Sequence, residues 1–388
     1  MNRNYRITAG LLATLLTGFF CALGAPSARA QSSPLPKRIV GDYGYWSKYS
    51  PAPYAYGAAQ IPFTKLTHVN HAGIGFNPDG SLSVPDGFLE PALNQGVHAA
   101  GGKVLVLLGG DFSAIETNPA MLPILVSNLW SFLNQNAYDG LDIDWEYPET
   151  TADKDAFLSL LKALRESLPS PIYTISVDVA PWGGLGYAFG QSVQYVDYLN
   201  VMMYDCAGPW TDDGQLNAPI IWDGHDPEPY ECEPGGSDEQ TMKLYSVQYR
   251  VPLAKINLGM PFYGYYYTTI NKLFGGCPLA QETGNNCNDS VFTRNYGTFF
   301  KQRINQQGWE TKYDQTSMVP YMLRSDGSNG FITYDDTFST YTRTLYADWT
   351  TGIGGTFMWS LDADYDGKSQ DLLDAMYAAT LQQPMPKQ

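Results

Sequence analysis

Four acids fall in one short stretch, YDGLDIDWEYP, running from Tyr138 to Pro148. Asp142, Asp144 and Glu146 stand at every second position. In an extended strand such residues share one face, leaving Leu141, Ile143 and Trp145 on the other. Acidic side chains are almost never buried unless partnered or put to use, so an acidic strand with an apolar reverse side calls for chemistry. Three carboxyls in a row cannot all ionise cheaply: like charges at close range raise at least one pKa, and the protons belong to the set. A carboxylic acid kept protonated near neutral pH is what cleavage of a glycosidic bond needs to protonate its leaving group. Glu146, at the end of the series, is the candidate donor. Asp139 has the opposite parity and reads as an anchor at the strand's start.

The rest of the chain supplies elements that could hold such a strand. Short apolar, β-branched runs predict strands at 38–43, 66–74, 103–110, 140–145, 172–179, 196–204, 255–262 and 352–360. Helical patterns lie between them. In 151–168, Phe157, Leu160, Leu161, Leu164 and Leu168 recur at helical spacing behind a Thr/Asp start. Eight strands alternating with helices predict an α/β fold of the (β/α)8 barrel type, with the apolar face of the acidic strand under the helix layer and its acids stepping toward the mouth. An open doubly wound sheet is the competing architecture, but GDYGYW after the first strand lacks the glycine fingerprint of that fold. Two connections, roughly 205–236 and 265–320, follow strands and are expected as extended loops over the C-terminal mouth, neither an independent domain.

The first 30 residues carry Arg3 and Arg6, an apolar run from Leu11 to Leu23, and small residues ending at Ala30. That order predicts a secretory leader cleaved near Ala30, with the barrel over 31–388. The run is shorter than the roughly 20 residues of a spanning helix. Losing Arg3, Arg6 and Arg29 takes the formal net charge from -16 to -19, since the leader holds no acid. Such a surface repels nucleic acid and anionic membranes. With Cys21 gone in the leader, Cys206, Cys232, Cys277 and Cys287 remain, an even number for an oxidising compartment. Three pairings exist; Cys206 with Cys232 and Cys277 with Cys287 is the choice that closes two local loops. The four histidines, His68, His71, His98 and His225, are not interleaved with the cysteines and none lies among the acids, so no metal and no cofactor is expected.

At this point the motifs carry a resemblance. DGLDIDWEYP resembles the Asp-x-x-Asp-x-Asp-x-Glu signature of glycoside hydrolase family 18, the chitinase family. KVLVLLGG (103–110) is similar to its third-strand motif, NVMMYD (200–205) to its sixth, GMPFYG (259–264) to its seventh and GGTFMWSLD (354–362) to its eighth. The resemblance implies a retaining hydrolysis of chitin or chito-oligosaccharides in which the sugar's own acetamide is the nucleophile, an exception to the two-carboxylate scheme. Glu146 would be the general acid, Asp144 would hold the acetamide N–H, and Asp142 would share a proton with Asp144. Tyr204 would bond the acetamide oxygen, Asp205 would contact the reacting sugar, and Trp359 would form an apolar floor. Tyr147, Met202, Trp210, Gly109 and Gly110 are further substrate-contact candidates, with Tyr45, Trp46, Trp182 and Trp222 as rim aromatics.

Two positions depart from the family pattern: Leu107 stands where serine is usual and Asp42 where tyrosine is common. The 265–320 connection is too short and too different to be the full α/β insertion that deepens the cleft of some members, so the expected cleft is an open, endo-acting groove on a monomer. Two other functions fit the same barrel: an endo-β-N-acetylglucosaminidase of N-glycan cores, and a silent chitin-binding lectin, although the retained Glu146 speaks for catalysis.

Overall fold

The computed structural model describes residues 35–386, apart from 223, 225–231, 233–235, 279–286, 288–289 and 307. The leader read at 1–30 and His225 lie outside the described residues.

The barrel strands are β1 (Arg38–Gly44), β2 (His68–Phe76), β4 (Lys103–Leu108), β5 (Gly140–Asp144), β6 (Thr174–Val179), β7 (Tyr198–Val201), β8 (Ile256–Pro261) and β14 (Gly355–Trp359). They pair in parallel around a ring, and β1 pairs with both β2 and β14, which closes it. A two-residue strand, β3 (Leu82–Ser83), hairpins back on β2. All eight strands expected from the sequence are present, and several end earlier than their apolar runs. β4 stops at Leu108, β5 at Asp144 and β7 at Val201. The residues past those ends, including Gly109, Glu146 and Tyr204, form the C-terminal rim, where barrel enzymes carry their sites.

Helices cover the barrel as the periodicity predicts. Helix Thr151–Ser167 follows directly on the acidic strand and starts at Thr150, whose side chain accepts from Asp153 N while the Asp153 carboxylate accepts from Thr150 N. Its inner face buries Phe157, Leu160, Leu161 and Leu164, each contributing roughly 1.5–3 kcal/mol relative to exposure. The cap thus stops the loop carrying Glu146 and sets the helix under β5. At the strand's other end, Asp139 accepts from Val104 N at 2.8 Å and lies 2.8 Å from His98 Nε2, tying β5 to β4.

Gly140 opens β5 because there is no room for a side chain: a Cβ there would sit 1.8 Å from the Thr174 carbonyl oxygen. Relief would require parting the β5–β6 ladder that aligns Asp142 with Ser176. Gly140→Ala is therefore expected to destabilise the fold by about 3 kcal/mol, measured as a lower urea midpoint at unchanged slope.

One expectation is corrected. The connection after β8 is not an extended loop but a five-stranded antiparallel sheet in the order β10-β9-β13-β12-β11. It is built from β9 (Tyr263–Tyr267), β10 (Val291–Asn295), β11 (Trp309–Asp314), β12 (Val319–Arg324) and β13 (Phe331–Thr333). β9 reads YGYYY, tyrosines on both faces with little contrast between them, and its partners lie far along the chain. Both local cysteine pairs are at bonding distance: Cys206 with Cys232, and Cys277 with Cys287, their Cα atoms 5.0 and 5.5 Å apart.

Candidate active site

The acids step outward along β5 with rising exposure. Asp142 is fully buried, Asp144 half-buried, and Glu146 exposed at the mouth. Neutral donors converge on Asp142: Asn70 Nδ2 from β2 and Ser176 Oγ from β6, each at 2.6 Å, and Asn200 Nδ2 from β7 at 3.3 Å. Burial pushes Asp142 up to about 6 against the pull of these donors. Asp144 is pushed up to about 8 by burial and by the negative charges of Glu146 and Asp142. It also shares a hydrogen bond with Glu146.

Two further acids complete the cluster. Asp42, from β1, is buried and raised well above the carboxylate range by desolvation and by Asp142. Asp178, from β6, lies beside Asp144 in the strand pairing and is raised well above that range by burial and by Asp142, Asp144 and Asp42. The hydrogen-bonded carboxyl neighbour of Asp142 is Asp178 and that of Asp144 is Glu146. Leu107, the departure from the serine pattern, is buried beside Asp142, and Ser176 and Asn70 supply the donors it lacks.

The other predicted residues ring the mouth. Tyr204 is buried just past β7 between Tyr263 and Phe357, with ring centroids 5.9 and 6.1 Å away. Asp205 takes a left-handed turn (φ 63°) that aims its carboxylate at the hydroxyls of Tyr263 and Tyr265, which donate at 2.5 and 2.7 Å. Trp359 ends β14, half-buried, 6.4 Å from the exposed ring of Trp46. Tyr147 meets Trp182 edge-on at 5.0 Å, and Trp210 meets Tyr265 edge-on at 5.7 Å. Gly109 and Gly110 lie at the end of β4, and a Cβ on Gly109 would come only within 4.0 Å of the Asp144 carbonyl, leaving the space beside the acids open. Tyr45 packs against Trp46 and Phe88, and Trp222 is exposed. Met202 is buried and packs in one cluster with Tyr204. Among the described residues no cluster of His, Cys, Asp or Glu fits a metal ion.

Sequence reasoning missed Asn70, Ser176, Asp178, Asn200, Tyr263 and Tyr265. A signal existed for the second and third: Ser176 and Asp178 in TISVDV share one parity, with Ile175, Val177 and Val179 on the other, the same alternation that marked β5.

A closed parallel barrel with a row of carboxyls stepping to its C-terminal mouth and aromatic rings around them defines a sugar-hydrolase type of site. The pattern of Glycosyl hydrolases family 18 matches residues 38–364, and the chain belongs to that family. It is 27% identical to Chitinase A1 of Niallia circulans over 94% of this chain, and spans 61% of that protein's length. In fold it is similar to catalytic domain 2 of the Ostrinia furnacalis Group II chitinase, with TM-score 0.77, 22% identity and coverage of 90% of this chain and 98% of that one. A human pseudo-chitinase with retained chitooligosaccharide binding, YKL-39, has the same fold at TM-score 0.75 and 18% identity, over 88% and 99% of the two chains.

Proposed function

We propose that this chain is an exported chitinase that hydrolyses β-1,4 linkages between N-acetylglucosamine units with retention at the anomeric carbon. The observation that carries the reading is the Asp144–Glu146 pair, a hydrogen-bonded couple of carboxyls with Glu146 open to the mouth and Asp144 behind it. Such a pair holds one proton and one negative charge. With the proton on Glu146, it faces the glycosidic oxygen; Asp144 is then the anion and accepts the acetamide N–H of the sugar.

As Glu146 protonates the leaving oxygen and the C1–O bond breaks, the acetamide oxygen closes on C1. Asp144 stabilises the positive ring so formed. Water then attacks C1 while the Glu146 carboxylate takes its proton, and the acetamide is released. Tyr204 donates to the acetamide oxygen and steers it toward C1. Asp205, held by Tyr263 and Tyr265, contacts the same sugar, and Trp359 with Trp46 stacks on the apolar sugar faces. The named chitinase relatives favour this substrate. The two cysteine pairs fit the oxidising compartment to which the 1–30 leader would deliver the chain.

The test is product analysis on N-acetylglucosamine oligomers and, separately, on a high-mannose glycoprotein. Chitobiose from the oligomers is the expected product. Deglycosylation without oligomer cleavage would move the activity to N-glycan cores, and binding without either product would make the chain a lectin.

A further inference from the structure

Asp178 has no part in the reaction described above, yet it lies in the middle of its electrostatics. It sits on β6 with Asp144 as its neighbour on one side and Asn200 on the other. It is 3% exposed. Its carboxyl is hydrogen-bonded to that of Asp142, and its Oδ1 is buried without a donor. Two carboxyls in hydrogen-bond contact inside a barrel hold a proton between them, because two anions at that range repel in a medium that screens poorly.

The donors decide which of the two carries it. Asn70, Ser176 and Asn200 all donate to Asp142, which favours its charged form, whereas Asp178 has Asn200 alone among these donors and its Oδ1 has none. The groups acting on Asp178 from the surrounding strands are Asp42 of β1, Asp142 and Asp144 of β5, and Asn200 of β7, with β4 presenting the neutral Leu107. Tyr204, past the end of β7, feels the charge of Asp178 in turn. None of these is a cation.

We propose that Asp178 is a positioning residue of the reaction: it donates its proton to Asp142 and so fixes Asp142 as the anion at the base of the acid series. With Asp142 satisfied by Asp178, the proton of Asp144 is not drawn inward and stays in the couple with Glu146, where it is used. The inference rests on the catalytic reading given above. It accounts for Asp178, an acid in a strand on whose same face Ser176 already serves Asp142. The high pKa that burial and three neighbouring acids impose on Asp178 agrees with its being the proton bearer.

The test compares parent, Asp178→Ala and Asp178→Asn. An asparagine amide can donate to Asp142 as a protonated carboxyl does; alanine cannot. For Asp178→Ala, kcat on N-acetylglucosamine oligomers is expected to fall about tenfold to a hundredfold with KM within about twofold. Its acidic limb should move up by about one pH unit, since Asp142 loses a donor that holds its pKa down. Asp178→Asn should restore the limb and keep kcat within about threefold of the parent. Infrared difference spectra at neutral pH should show one carboxylic-acid C=O band in the parent that both variants lack. Parental kcat and limb in Asp178→Ala, an Asp178→Asn as impaired as the alanine variant, or an unchanged C=O band in Asp178→Asn would each overturn the assignment. The infrared band needs no turnover, so an inactive parent would defeat the proposed function while leaving the position of this proton separately decided.

Discussion

Glu146→Gln is expected to lower turnover of N-acetylglucosamine oligomers by roughly 10²–10⁴, the usual contribution of a positioned general acid. Oligomer affinity should stay near that of the parent. The geometry makes this a clean substitution. Glu146 is exposed at the mouth and supports no buried packing, so the amide removes a transferable proton without disturbing the barrel. The loss should also depend on the leaving group. A glycoside whose leaving group is already acidic needs little protonation and should suffer much less than an oligomer. A Glu146→Gln protein that cleaves oligomers at the parental rate would remove Glu146 from the mechanism.

Asp144→Asn is expected to cost about 10²–10³ in kcat, the scale on which a preorganised charge facing developing transition-state charge is felt. The asparagine is isosteric and still reaches the acetamide, but it cannot become the anion that meets the positive ring. Ring closure accompanies departure of every leaving group, so activated glycosides and oligomers should lose rate together, unlike the pattern for Glu146→Gln. The parent's pH profile bears on the same couple. Asp144 is pushed up to about 8 by burial and by the charges of Glu146 and Asp142. Below that pH the couple keeps its proton; above it the proton leaves and the acid is spent, so kcat/KM should fall on an alkaline limb near pH 8. Equal losses for both variants across both substrate types would contradict the division of labour between the two carboxyls.

The acids proposed to do the chemistry were legible in the sequence because their relation is local. Strand residues two apart share a face whatever the rest of the chain does, so Asp142, Asp144 and Glu146 could be placed on one side and Leu141, Ile143 and Trp145 on the other before any fold was known. The same locality exposed the helix over Thr151–Ser167 through its cap and spacing, and the two short-range cysteine pairs. Eight apolar runs separated by helical patterns leave few architectures, which is why the barrel could be read without its pairings.

What surrounds the acids could not be read in that way. Asn70, Ser176 and Asn200 stand 72, 34 and 58 residues from Asp142, on three strands whose inward residues meet only at the register that closure imposes. Asp178 looked like an ordinary polar residue until β6 was laid against β5. The 263–333 sheet was hidden because antiparallel pairing joins distant segments, and its edge strands carry no signal of their partners. Period and composition act along the chain and were determined by the sequence alone; register and convergence act across it. Only the tertiary structure decided which carboxyl has donors and which faces the mouth.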